Sequence, residues 1–365
     1  LPICQHFEKI KKLCAPLGIS IQLLTAQEKG KKRQQILTDL SAGKIDFLIG
    51  THAILENTVT FHQLALIIID EQHRFGVKQR LALAQKEQSA NVLVMSATPI
   101  PRTLALTTYG DMDISILNEK PMGRQHIETR ALPLSNTAAL IQRLQQLDTQ
   151  IYWVCPLVKE SEKSDLMAAQ KRYECLVKTF GPQVGLIHGQ MKAEEKEKQM
   201  QLFLKGQIKI LVSTTVIEVG VDVPAAGLMI IEHAERFGLA TLHQLRGRVG
   251  RGQNKAACIL LHGKLSNMAY KRLAVLRESE DGFFIAEADL KLRGSGEVLG
   301  TQQSGLPVFH FAQLPEHADL LQLAHQHAQN FLTKDPMLQS KSGQALKNML
   351  YLFGKEEQIH LLKAG

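Results

Sequence analysis

The 365 residues hold no uninterrupted apolar run approaching the ~20 that a membrane-spanning helix needs, so a transmembrane segment is excluded and no membrane partner is expected. Cysteine is sparse. Cys4, Cys14, Cys155, Cys175 and Cys258 are scattered, odd in number and never in C-x-x-C spacing, which argues against a disulfide framework and a zinc site and points to the reducing cytoplasm. Aromatic residues make up only 5%, with Trp153, expected in the core, as the one tryptophan; base stacking is therefore a poor candidate for the main mode of any nucleic-acid binding. The chain has no initiator Met and no signal-peptide pattern. It opens at Leu1 just before a helix-like stretch over residues 5–14, apolar at Phe7, Ile10, Leu13 and Cys14, so a truncated N-terminus is expected. No G-x-x-x-x-G-K-[ST] occurs either. The nearest strings, Ala42-Gly43-Lys44-Ile45 and His262-Gly263-Lys264-Leu265, lack both the earlier glycine and the hydroxyl, so a phosphate-cradling loop is missing from these residues.

What is present describes an ordinary globular chain with two or three domains: 44% hydrophobic, with 43 basic against 35 acidic residues. The net charge of +8 tilts the partner expectation toward polyanions, weakly for a chain this long. Short runs at 47–50, 66–69, 92–95, 151–154, 184–187, 208–212, 228–231 and 257–261 are apolar on consecutive positions, as in strands covered on both faces. Charged, helix-period stretches such as 193–204 lie between them. Strands alternating with helices predict parallel sheets, with ligands gathered at the carboxyl ends of the strands. The periodicity lapses at 118–124, around Glu119-Lys120-Pro121-Met122-Gly123, and the pattern changes again near 270. The expected division is 1–118, 119–270 and 271–365, the last running through a glycine-rich stretch into helices broken at Pro336.

Leu66-Ile67-Ile68-Ile69 ends in Asp70-Glu71-Gln72-His73, an apolar strand closing on two carboxylates. Hard cations take oxygen ligands, so Asp70 and Glu71 are candidates to hold Mg²⁺, with Glu71 as general base on an attacking water and His73 as a link to a neighbouring lobe. A strand that merely ends in a solvated acidic turn gives the same string. The next apolar run leads into Ser96-Ala97-Thr98-Pro99, whose Ser96 and Thr98 hydroxyls can reach those carboxylates or simply cap a helix. Gln244-Leu245-Arg246-Gly247-Arg248-Val249-Gly250-Arg251 projects guanidinium groups from a glycine-punctuated run. Arg248 and Arg251 suit a γ-phosphate, with Gln244 as a coupling residue, although a basic surface loop is the plainer alternative. Upstream, the segment from Ser213 to Asp222 carries Thr214, Thr215 and Gly220 after a strand; it can meet a nucleic-acid phosphate on one side and a nucleotide sugar on the other, or be only a polar turn.

Taken in order, Gly50-Thr51-His52-Ala53, Asp70-Glu71-Gln72-His73, Ser96-Ala97-Thr98, His188-Gly189, Ser213 to Asp222 and Gln244 to Arg251 resemble the motor of superfamily-two helicases over about residues 1–265. That resemblance implies an α/β fold of two RecA-like parallel-sheet lobes, the first incomplete, with ATP and Mg²⁺ between them. It places Gly220 and Asp222 at the nucleotide and Thr51, His52, His188, Gly189, Thr214 and Thr215 on DNA. Beyond the motor, Asp281-Gly282-Phe283-Phe284 through Gln302-Gln303-Ser304-Gly305 is similar to the helical hairpin and translocation element of the RecG branched-DNA helicases and of the transcription-repair coupling factor. In those families Arg293 and Gln303 fall at coupling positions. Asp70-Glu71-Gln72-His73-Arg74-Phe75-Gly76-Val77, Ser304-Gly305-Leu306-Pro307 and Asp335-Pro336-Met337-Leu338 favour RecG.

The expectation is an ATP-dependent helicase and translocase that remodels branched DNA such as stalled forks and Holliday junctions in recombination and repair. It is a monomer, with single-strand binding protein as a partner through the resemblance alone. In that family the P-loop and a wedge-bearing DNA-binding domain precede the segment where this chain begins, so these residues alone are expected not to hydrolyse ATP. The alternatives are a non-catalytic DNA-binding fragment or degenerate paralogue, or the motor of a coupling factor.

Overall fold

A computed structural model describes residues 2–70, 90–97, 113–117, 119, 126–156, 162–214, 223–250, 252, 255–298 and 317–353. The chain divides into two compact units, one drawn from Leu1–Pro99 and Lys120–Ile285, the other from Ile100–Glu119 and Ala286–Gly365.

In the first unit, α1 (Pro2–Cys14) precedes β1 (Ile21–Leu24), α2 (Gly30–Ser41) and β2 (Phe47–Gly50). β1 and β2 pair in parallel with Leu24 opposite Gly50. Leu24, Ile36, Leu40, Ala53 and Val59 close a small core over them. Gly50 is required by close approach: a Cβ there would lie 2.1 Å from the Leu24 carbonyl oxygen. A second parallel pair joins β3 (Leu66–Ile69) to β4 (Asn91–Val94), with Ile69 opposite Val94. Here one expectation is corrected. Ile67 and Ile69 are buried while Leu66 and Ile68 are exposed, so β3 is covered on one face rather than both. Among the described residues β3 and β4 pair only with each other, and the alternation of a half-covered strand follows.

The same unit contains a six-stranded, all-parallel sheet built from β5 (Ile127–Pro133), β6 (Gln150–Val154), β7 (Val184–Ile187), β8 (Ile210–Ser213), β9 (Ala226–Ile231) and β10 (Ala256–His262), in the order β5-β10-β9-β6-β8-β7. Its helices are α3 (Thr137–Leu144), α4 (Glu162–Phe180), α5 (Ala193–Leu204) and α6 (Leu239–Arg246). Every residue of the central strands β6, β8 and β9 is buried, as consecutive apolar runs require when both faces are covered. Ile151, Trp153, Ile210, Val212 and Ile230 pack with Leu140, Leu144 and Leu176 of α3 and α4. The order in which strands are added reverses between the parallel neighbours β6 and β9: from β6 the chain builds toward the β7 edge, and from β9 toward β10. The carboxyl ends of such strands form the crevice where open α/β sheets bind ligands.

After β10 comes α7 (Asn267–Glu278), capped by the Ser266 hydroxyl, which accepts from the Ala269 amide at 3.2 Å. α8 (Gly282–Val298) follows and runs helically through Gly294 and Gly296, where composition alone reads as a linker. In the second unit, α9 (Ala318–Lys334) and α10 (Lys341–Leu352) flank the predicted break at Pro336. The Asp335 carboxylate accepts from the Gln339 and Ser340 amides at 2.8 and 2.9 Å, which fixes the turn and holds its carboxyl below the ordinary value, chiefly through the hydrogen bond with Ser340.

Candidate nucleotide and nucleic-acid site

The β3 and β4 ladder sets the position of the first candidate group. The Met95 amide donates to the Ile69 carbonyl at 2.8 Å, so Asp70 stands beside Met95 and Ser96 lies one residue farther along the adjacent strand. Asp70 and Ser96 are both exposed at the carboxyl edge. An exposed strand-end carboxylate has the donor chemistry Mg²⁺ prefers, and Mg²⁺ commonly takes one or two carboxylates with phosphate and water completing its shell. Among the described residues no cluster of three potential ligands forms. Glu71, His73, Thr98, Thr215, Gly220, Asp222, Arg251 and Gln303 lie outside the described residues, as does the side chain of Arg293.

The sheet edge made by β7 and β8 is better defined. Ile187 pairs with Ser213, and the Thr214 amide donates to the Ile187 carbonyl at 3.3 Å, which brings His188 and Thr214 side by side past the strand ends. Ser213 is fully buried and Thr214 is 2% exposed. Among the described residues, the Ser213 and Thr214 hydroxyl oxygens and His188 Nδ1 are buried and find no hydrogen-bond partner. Three such atoms at one strand edge are unusual, because buried polar groups in folded proteins are nearly always paired. Burial and the nearby Lys196 ammonium push the His188 imidazole below its ordinary value, with Glu195 opposing them, so its neutral form is favoured. Gly189 turns outward and its carbonyl accepts from Lys196 Nζ at 2.6 Å. Thr51 and His52 occupy the equivalent place after β2, both exposed.

α6 ends at Arg246, the first arginine of the run. Leu239, Leu242 and Leu245 are fully buried, and Gln244 and Arg248 are half-buried. Gly250 follows with φ +77°, and a Cβ there would approach Ile127 Cγ1 to 3.0 Å; only glycine meets both conditions without strain.

Three groups not assigned from the sequence stand out in the fold. Arg246 is 2% exposed, with both terminal nitrogens of its guanidinium hydrogen-bonded within the protein. Its place seven residues after Leu239 and four after Leu242, on one helix face, was the available signal. At the crevice between β6 and β9, Glu232 receives Trp153 Nε1–H at 2.6 Å and pairs with Arg172 of α4, whose guanidinium stacks 5.2 Å from the Trp153 ring centroid. Neither Glu232 nor Arg172 falls in a recognisable motif. The Cys155 thiol beside this cluster is pushed far up, chiefly by burial and then by the Glu232 charge, which favours the protonated form.

Known proteins resemble this chain along most of its length. Residues 3–107 match the DEAD/DEAH box helicase family, residues 135–253 the helicase conserved C-terminal domain, and residues 279–357 the C-terminal part of domain 3 of ATP-dependent DNA helicase RecG. The RecG of Bacillus subtilis is 43% identical over 355 residues, covering 96% of this chain and 52% of the relative. The RecG of Escherichia coli K12 is 49% identical over 321 residues, 85% of this chain and 46% of the relative. A structure of RecG bound to a three-way DNA junction superposes with a TM-score of 0.68 at 41% identity, covering 88% of this chain and 42% of that one. The Mycobacterium smegmatis helicase Lhr, at 15% identity and a TM-score of 0.55 over 75% of this chain and 39% of that one, shares the fold. The chain thus spans about half the length of the curated relatives it matches. Along nearly all of its own length it is homologous to the RecG ATP-dependent DNA helicases.

Proposed function

We propose that this chain is the motor and translocation portion of an ATP-dependent DNA helicase that remodels branched DNA, with domains 1–118, 119–270 and 271–365. The observation that carries the DNA assignment is the set of unpartnered buried polar atoms on His188, Ser213 and Thr214. Hydroxyl and imidazole donors at a strand edge suit phosphate oxygens, which position nucleic acid without reading its sequence. The homology to RecG and the three-way junction held by one solved relative support branched DNA as the substrate class.

On the nucleotide side, Asp70 and Glu71 are the groups to hold Mg²⁺, which when bound neutralises phosphate charge. Glu71 takes the proton of the attacking water, Ser96 and Thr98 hydrogen-bond the carboxylates, and Gln244 with His73 couples the lobes. Arg248 and Arg251 supply the guanidinium forks for the γ-phosphate, while Gly220 and Asp222 meet the nucleotide. Arg293 and Gln303 serve translocation. The 365 residues contain no P-loop, so hydrolysis requires one supplied from outside them. The same absence favours the second reading, a DNA-binding module without turnover.

Titration of the 365-residue chain with a labelled three-way junction tests the DNA assignment. Tight, salt-sensitive binding weakened severalfold by Thr214→Val is expected; binding unchanged by that substitution, or no preference for the junction over linear duplex, would refute it. An in-frame P-loop upstream of Leu1 in the coding sequence separates enzyme from module.

A further inference from the structure

The run 244–251 holds three arginines, and resting on the functional reading above, we infer that Arg246 is a positioning residue that fixes the segment carrying Arg248 by clasping the end of α7. The geometry is specific. Arg246 NH1 donates to the Leu276 carbonyl at 2.5 Å and to the Ser279 carbonyl at 2.9 Å, both at the carboxyl end of α7. Its NH2 lies 3.0 Å from His243 Nδ1, one turn back on α6. A guanidinium only donates, so His243 accepts there with its ring proton on Nε2. Thr129 Oγ1 of β5 stands 3.5 Å from NH1. The fork is thus committed to protein acceptors and closed to solvent, whereas Arg248, two residues on, is half-buried. Burial pushes the Cys258 thiol up to about 12 while the Arg246 charge pulls it the other way, consistent with a cation seated among interior groups.

The clasp has a second point. Glu280, next to Ser279, accepts from the Ile127 amide at 2.6 Å and from His126 Nδ1 at 2.7 Å, at the start of β5. The α7 terminus is therefore fastened to α6 through Arg246 and to β5 through Glu280. Because Gly247 follows Arg246 directly, the path of the backbone toward Arg248 is set by where this fork is anchored. Lysine at 246 keeps the charge but cannot serve several acceptors in one plane.

The experiment compares Arg246→Lys, His243→Ala and Arg248→Ala. ATP turnover is measured on the whole protein with its P-loop segment in place, and amide exchange on the 365-residue chain. Arg246→Lys is expected to lower kcat about tenfold with KM for ATP within about twofold, the signature of a misplaced reacting group. It should also speed exchange at residues 247–249 and 276–279 together. His243→Ala, which removes one acceptor without emptying a buried charge site, should give the same pattern in weaker form and decides the matter if Arg246→Lys fails to fold. Arg248→Ala should abolish turnover and leave exchange at 276–279 unchanged. Loss of turnover in Arg248→Ala with full kcat in the clasp variants overturns the positioning role alone. Full turnover in Arg248→Ala, or none in the unsubstituted protein, overturns the functional reading, and the exchange arm then decides whether Arg246 fixes this segment.

Discussion

Replacing Arg172 by methionine isolates the energetics of the crevice between β6 and β9. The change keeps an unbranched apolar stem and removes the charged fork, leaving the Glu232 carboxylate with Trp153 Nε1–H at 2.6 Å but without its cation. Breaking a buried pair by removing one partner costs about 3–5 kcal/mol. Here the Arg172 side chain keeps 20% exposure and Glu232 10%, and the indole bond persists, so about 2–4 kcal/mol is expected. The assay is built into the molecule. Trp153 is the only tryptophan and is fully buried in the six-stranded sheet, so its emission during urea unfolding follows that sheet alone. Adding Glu232→Gln to Arg172→Met keeps an acceptor for the indole and removes the stranded charge; the double variant should recover about 1–2 kcal/mol relative to Arg172→Met. The reasoning fails if Arg172→Met costs under about 0.5 kcal/mol, or if the second change destabilises further.

Other consequences are as direct. Gly250→Ala should destabilise the same sheet by about 1–3 kcal/mol, read by the same emission, because φ +77° and the Ile127 contact at 3.0 Å both oppose a Cβ; a neutral result would contradict the geometry. Arg251→Ala in the whole protein should lower DNA-stimulated ATP turnover by roughly 10³-fold or more, and retained turnover would dismiss its finger role. The His188 imidazole is lowered from its ordinary value of 6.5, so below that value the unfolded chain binds the extra proton first, and stability falls as pH drops through this range. His188→Asn should flatten that part of the stability profile, and an unaltered slope would show that other groups produce it. A DNA phosphate beside His188 would favour its charged form, so junction affinity should rise on acidification in the unsubstituted chain and rise less in His188→Asn.

The sequence and the structure agree most closely where chemistry and burial coincide. β6, β8 and β9 are legible because complete coverage demands consecutive apolar residues. β5, with Glu128 and Arg130 facing outward from an edge, registers only as the point where strand signal resumes. β1 is four residues long with Gln22 inside it, too short and too polar to announce itself. In the candidate site, the order of the strand-end groups was readable because hydroxyls, carboxylates and glycines follow apolar runs at fixed places. The role of Arg246 was not, since one letter serves equally for a solvent-facing fork and for one spent on carbonyls 30 and 33 residues away.

The position of β5 carries a consequence for how the protein is made. It is the first strand of its sheet to be synthesised, yet among the described residues its sole ladder partner is β10, the last, and the Ile127 amide waits for Glu280, 153 residues downstream. At ribosomal speeds of about 5–20 residues per second, that strand edge stays unpaired for roughly six to thirty seconds. A nascent chain stalled before β10 would carry an unsealed flank, so synonymous codons that slow translation between 134 and 256 should raise the demand for chaperones without altering a single residue of the product.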